Sequence, residues 1–200
     1  MVNRHHESQK LTYRVDLPGG QERLRELVLY VSLKSLQMER FGLIKLNKIL
    51  WKADFAAFAA RSVPVTGRAY QRLPLGPAPI EMAPLLAEME QDGLIRFEFI
   101  HFGVAPDGQE IIEKRPIALV EPNLRWFSPD DMSFVDEAID YYWGMTGMET
   151  SDDSHGVAWR SRNNFDPMPY ESAFLSEEKI HHDQLTRILE LARERGWRSH

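Results

Sequence analysis

KLNKILWKADFAAFAARSVPVTGRAYQRLPLGPAP, residues 45–79, joins a helical apolar pattern to a loop rich in proline and glycine, and the reading of that junction decides the fold. Leu43, Leu46, Ile49 and Leu50 recur at helical spacing, and Trp51, Phe55 and Phe58 carry the stripe further along the same helix. This helix is expected to be mostly buried. Lys45, Lys48, Lys52 and Asp54 fall at its other angles, so a basic, partly aromatic flank is expected to face solvent or a partner.

Past Arg61 come Pro64, Pro74, Pro77 and Pro79, four prolines within sixteen residues. Each holds φ near about −65° and pushes the residue before it toward extended geometry, which predicts an ordered loop rather than a helix. Gly76 before Pro77 marks a tight turn, and Pro79 suits the first position of the helix expected next. A loop this stiff loses little entropy on binding a partner.

Outward from the junction, Leu24, Leu27, Val28 and Val31 predict a helix over about Gln21 to Glu39, antiparallel to the one that follows. A third helix, about Ile80 to Gln91, accommodates Pro84 only in its first turn or at a kink. Leu94 to Phe99 and Ile111 to Val120 flank a turn at Pro106, Asp107 and Gly108, which reads as a β-hairpin with room for a third short strand. Phe127 and Ser128 precede a helix with Ser128 as cap, Pro129 first and acids in the opening turn; Gly144 and Gly147 are expected to end it. A short helix is expected over Thr150 to Arg162, and Ser176 caps a final one bearing Leu185, Ile188, Leu189 and Ala192 before Gly196. The fold expected is mainly α with a small antiparallel hairpin or three-stranded sheet (α+β), in a single compact domain. Its boundaries read as a mobile segment over 1–20, the domain over 21–176 and a C-terminal helix over 177–200.

The chain has 200 residues, 43% hydrophobic, with ten Phe and five Trp, enough for one sizeable core. A net charge of −6 and an isoelectric point near 5.7 disfavour nucleic acid as the partner. The absence of cysteine removes disulfides, thiol nucleophiles and thiolate metal sites together. No apolar run approaches the ~20 residues that cross a bilayer, and no signal-peptide core opens the chain, so no membrane partner is expected and the reducing cytoplasm is the expected compartment.

Catalytic patterns are sparse. Of seven histidines, His5 with His6 and His181 with His182 are adjacent pairs, unlike the i, i+4 pair of a zinc-binding helix, and no metal is expected. Asp152, Asp153 and His155 offer a base with an orienting carboxylate, but such a cluster also reads as acids decorating a helix N-terminus. His155 and Trp159, four apart, share a face and are placed to stack. Ser154 lies in no nucleophile elbow, and phosphate-binding glycine loops are missing. Arg187, Arg193, Arg195 and Arg198 fit the C-terminal end of the last helix, where its dipole favours cations.

Several of these residues fall in one pattern: Lys45, Leu46, Lys48, Ile49, Leu50, Trp51, Ala53 and Asp54; then Pro64, Val65, Thr66, Gly67, Tyr70, Gly76, Pro77 and Pro79; then Asp92 and Gly93. The chain here resembles the Panacea domain, the SocA-like antitoxin family of prokaryotic and phage toxin–antitoxin systems. The likeness continues through Phe127, Ser128 and Pro129, through His155 and Trp159 at a spacing one residue shorter, and through Pro169, Tyr170 and Glu171, covering roughly Gly42 to Ser176.

The resemblance implies a non-enzymatic antitoxin that needs no cofactor. It would bind a cognate protein toxin encoded beside it, masking it directly or acting as a proteolytic adaptor, with a protease or chaperone as a second partner. The expected recognition surface is the Pro/Gly-rich loop with the polar flank of the preceding helix. Trp51 and Tyr70 are its aromatic anchors, Asp54, Gln71 and Arg72 supply polar specificity, and Lys48, Lys52, Gly76, Pro77, His155 and Trp159 complete the toxin-binding candidates. The alternative is a winged-helix DNA-binding transcriptional regulator; its wing, Ala105 to Glu110, carries Asp107 and Glu110 and no basic residue, which disfavours it.

Overall fold

The apolar stripe over Leu43 to Phe58 becomes α2 (Leu43–Arg61), the element on which the rest is assembled. The structure, a computed structural model, describes residues 11–104 and 108–175. The expected final helix with its Ser176 cap, the C-terminal arginines, the paired histidines and the hairpin residues Pro106 and Asp107 lie outside the described residues. Before α2 stands α1 (Gln21–Lys34). After it come β1 (Tyr70–Leu73), β2 (Gly76–Pro79), α3 (Met82–Gln91), β3 (Ile95–Val104) and β4 (Glu110–Ala118). Then follow a 3-10 turn at Leu124–Trp126, α4 (Pro129–Tyr142), α5 (Gly147–Asp153), α6 (Val157–Arg160), β5 (Pro167–Met168) and a 3-10 turn at Tyr170–Phe174. The architecture is mainly α with small antiparallel sheets.

α2 packs against α4, α5, β2 and the second 3-10 turn. Its Leu46, Ile49, Leu50, Ala53 and Ala57 meet Leu24, Leu27, Val28 and Val31 of α1, Leu85 and Met89 of α3, and Val135, Ile139 and Tyr142 of α4 in one core. A smaller aromatic cluster joins Phe55 and Phe58 of α2 to Tyr70, Met168 and Tyr170, with the Phe58 and Tyr170 rings stacked at 5.2 Å. Each fully buried large apolar side chain contributes about 1.5–3 kcal/mol. A capping bond is worth about 1 kcal/mol, so packing chooses this fold and caps set its boundaries.

The Pro/Gly-rich stretch is not all loop. β1 and β2 form an antiparallel hairpin across the two residues Pro74 and Leu75, with Tyr70 opposite Pro79 and Arg72 opposite Pro77. The bond from the Ile80 N–H to the Ala69 carbonyl, 2.9 Å, sets the ladder's phase. Pro77 and Pro79 then fall at positions that donate no ladder bond, on an edge strand of the sheet ordered β2–β1–β5. Pro79 therefore closes a strand rather than opening a helix. α3 starts at Met82, which puts Pro84 in the first turn, where its missing N–H costs nothing. The expected third strand next to β3 and β4 is absent among the described residues; those two form their own ribbon, and β5 joins β1 instead.

Ser128 caps α4 as expected: its hydroxyl accepts from the Asp131 N–H at 3.1 Å, and the Asp131 carboxylate accepts from the Ser128 N–H at 2.9 Å. Gly147 does not end α4. It opens α5, capped by a second box between Thr146 and Glu149. The single helix expected over Thr150 to Arg162 is two, because extended backbone at Gly156 interrupts the turns between α5 and α6. Within the segment expected to be mobile, Thr12 accepts the Tyr170 N–H at 2.8 Å, and the Val15 N–H donates to the Gly67 carbonyl at 2.9 Å. No described helix is long and apolar enough to cross a membrane.

Candidate functional site

The polar angles of α2 are buried, which corrects the expectation of a solvent-facing flank. Lys45 and Asp54 are 0% exposed and Lys48 is 1% exposed. Because α2 is covered on several sides, Lys45, Lys48 and Asp54 point into the protein, while Lys52 stays partly exposed. The sign in the sequence was apolar residues at nearly every angle of the helix, since a helix that is apolar all round is a buried one.

Asp54 is the centre of a polar knot. Its carboxylate accepts from the Thr66 N–H, the Thr66 hydroxyl and the Tyr70 hydroxyl, the last at 2.8 Å. The Tyr170 hydroxyl donates to the Arg68 carbonyl at 2.6 Å and lies 3.4 Å from Asp54. Burial pushes the Asp54 carboxyl up to about 6 against the pull of these donors, and burial with the nearby Asp54 charge raises the Tyr70 phenol well above its ordinary value. Lys48 Nζ donates to the Pro77 carbonyl at 3.0 Å, and burial pulls it down to about 7. Gly76, at φ +97°, passes so close to Lys48 and Ser154 that a Cβ there would collide with both. Of the toxin-binding candidates, then, Lys48, Asp54, Tyr70, Gly76 and Pro77 brace the junction between α2 and the β1–β2 hairpin.

The remaining candidates are accessible and form two groups. In the first, the Trp159 indole is sandwiched. The His155 ring stacks on it at 3.7 Å and 13°, and the Arg72 guanidinium lies 3.9 Å from its centroid. The indole N–H donates to the Leu73 carbonyl at 2.8 Å, and Arg72 bonds Asn164. Burial lowers the His155 imidazole from its ordinary value; Asp152 opposes that, while Lys48, Arg72 and Arg160 add to it. The expected stack exists, although His155 precedes α6 and reaches Trp159 across the turn.

In the second group, Trp51 and Lys52 line a groove of about 350 Å³ with Tyr141, Asp153, Ala56 and Leu175. Lys52 Nζ sits 3.6 Å from the Tyr141 ring centroid. The Tyr141 and Tyr142 hydroxyls donate to Asp153 at 2.7 and 2.9 Å. Asp152 and Asp153 thus stand at the C-terminal end of α5, not at a helix N-terminus, and Asp153 serves two tyrosines rather than orienting His155. Gln71 is half-buried on β1. Among the described residues no cluster of three or more His, Asp or Glu side chains is placed to hold a metal ion.

A family model described as antitoxin SocA-like, Panacea domain, matches residues 46–160. The chain belongs to that family. No curated protein and no solved structure matches it. The Panacea match begins inside α2 and ends with α6, so α1, β5 and Tyr170, all parts of the packed cores, lie beyond its limits. Pro64, Val65, Thr66, Gly67, Tyr70, Gly76, Pro77 and Pro79 are all buried, so this part of the Panacea pattern specifies how the hairpin closes on α2. What the sequence reading missed is at the surface: Tyr141, Asn164 and Phe165. The run Asn163, Asn164, Phe165, Asp166 was the available signal, because Asn and Asp tolerate the unusual backbone of tight turns.

Proposed function

We propose that this Panacea protein is an antitoxin that acts by binding: it holds a cognate protein toxin encoded beside it and neutralises that toxin, by covering the toxic surface or by presenting it to a protease. A protease or chaperone is the second partner only in the latter case. The observation that carries the reading is family membership together with the accessible Arg72–Trp159–His155 stack, mounted on the buried framework that the family pattern builds. Aromatic and arginine side chains on a rigid support make strong protein contacts because little of their freedom remains to be lost. The cytoplasm is the compartment this reading requires, since the toxin must be met where it is made.

The test is co-expression. The product of the adjacent reading frame should arrest growth when expressed alone, and this chain should restore growth. The double variant Arg72→Ala with Trp159→Ala should lose rescue while keeping its circular dichroism spectrum. A neighbour that is harmless alone, or that arrests growth whether or not this chain is present, overturns the reading.

A further inference from the structure

Between α6 and β5 the chain turns through Ser161 to Asp166, and one residue of that turn is out of place by local physics. Phe165 has φ +70°, in the left-handed region that bulky side chains avoid, and its ring is 70% exposed. Asn163 and Asn164, either of which tolerates that backbone, stand just before it. An aromatic residue here costs backbone energy and leaves a large apolar surface in water.

The turn nonetheless holds its shape. The Phe165 N–H donates to the Arg72 carbonyl at 2.8 Å, and the Arg72 N–H donates to the Asp166 carbonyl at 3.0 Å. The Asp166 carboxylate accepts the Asn163 N–H at 2.8 Å. The ring is therefore carried on an extension of the β1–β5 ladder, with its backbone set before any partner arrives. Arg72 also bonds Asn164 beside it and stacks on Trp159, and its Nε is buried with no hydrogen-bond partner among the described residues. Arg162 lies on the same turn and Arg160 closes α6 just before it, so a locally basic, aromatic surface interrupts a chain of net charge −6.

We propose that Phe165 is the anchor of the toxin-docking surface, entering an apolar pocket on the toxin whose rim carries carboxylates that face Arg72, Arg160 and Arg162. This rests on the antitoxin reading and assigns the contact within it. Complementary charge supplies orientation, and the ring supplies most of the affinity.

Phe165→Asn separates an anchor from a structural residue, because Asn suits the left-handed backbone yet lacks the ring. With the full-length chain and the purified product of the adjacent reading frame, calorimetry should show affinity lowered about tenfold or more, with an unchanged or higher melting temperature. Arg162→Glu should weaken binding as well. Undiminished affinity in Phe165→Asn overturns this inference and leaves the antitoxin reading standing. A melting temperature that drops sharply also overturns it, since the ring would then be structural. No binding by the unaltered chain overturns both. Binding of a mixed-sequence single-stranded oligonucleotide through Phe165, in place of the toxin, overturns both as well.

Discussion

Lys48 and Asp54 show what a residue's neighbours do to its chemistry. Lys48 titrates near 7 in the folded chain against an ordinary value of 10.5, so between those values the unfolded chain holds more protons and stability rises with pH. Asp54 is shifted the other way, from 3.8 to about 6, so stability falls as pH rises through that interval. The two limbs leave a stability minimum between about 6 and 7. Lys48→Met should remove the upper limb and raise stability below pH 7 by about 2 kcal/mol or more. Urea titrations at a series of pH values check it, and an upper limb that persists in the variant contradicts it. Gly76→Ala should cost about 2–4 kcal/mol, because it adds a left-handed strain to a collision with Lys48 and Ser154. Thermal denaturation measures that loss.

The start of α4 is where three elements are tied, and Asp131 ties them. It completes the cap with Ser128, pairs with Arg61 of α2 and lies 3.2 Å from Arg23 of α1, which also donates to the Val65 carbonyl at 2.6 Å. Burial raises the Asp131 carboxyl, but the Ser128 N–H and the two arginines outweigh it and hold it below 3.8. Its contribution is therefore complete above that value and fades as pH falls through the depressed one. Asp131→Ala leaves Arg23 buried without its carboxylate and should cost about 3 kcal/mol, read as a lower urea midpoint. Ser128→Ala, which loses only the cap, should cost about 1 kcal/mol. The Ser128–Pro129 start and the 3.6-residue stripes were legible because they are local. The β1–β2 hairpin was not, since proline normally argues against a strand and only the ladder's phase makes Pro77 and Pro79 acceptable.

Among the described residues, two sets of exposed apolar groups bear on docking. One holds Phe165, at the proposed docking surface; the other is the β3–β4 ribbon, where Phe99, Val104, Ile111 and Ile112 are exposed and Lys114 lies 3.8 Å from the Phe97 ring centroid. Phe99→Lys together with Ile112→Lys should change stability by no more than about 0.5 kcal/mol each and leave rescue from the toxin intact. Loss of rescue in a folded variant would move the docking surface to the ribbon. With the proposed toxin contact at Arg72, Arg160 and Arg162, association should also slow as salt rises, mainly in the on-rate, and stopped-flow mixing reads it directly.

The sequence by itself determined the helical stripes, the α4 cap, the strands around the hairpin turn and the family, because each is written in spacings of a few residues along one stretch of chain. Only the tertiary structure decided which face of α2 meets water. It buried Lys48, Asp54 and Tyr70, and it left Arg72, Trp159 and Phe165 accessible around one turn. The reason is physical: burial depends on what the rest of the chain lays over a residue, and those covering segments are far away in sequence.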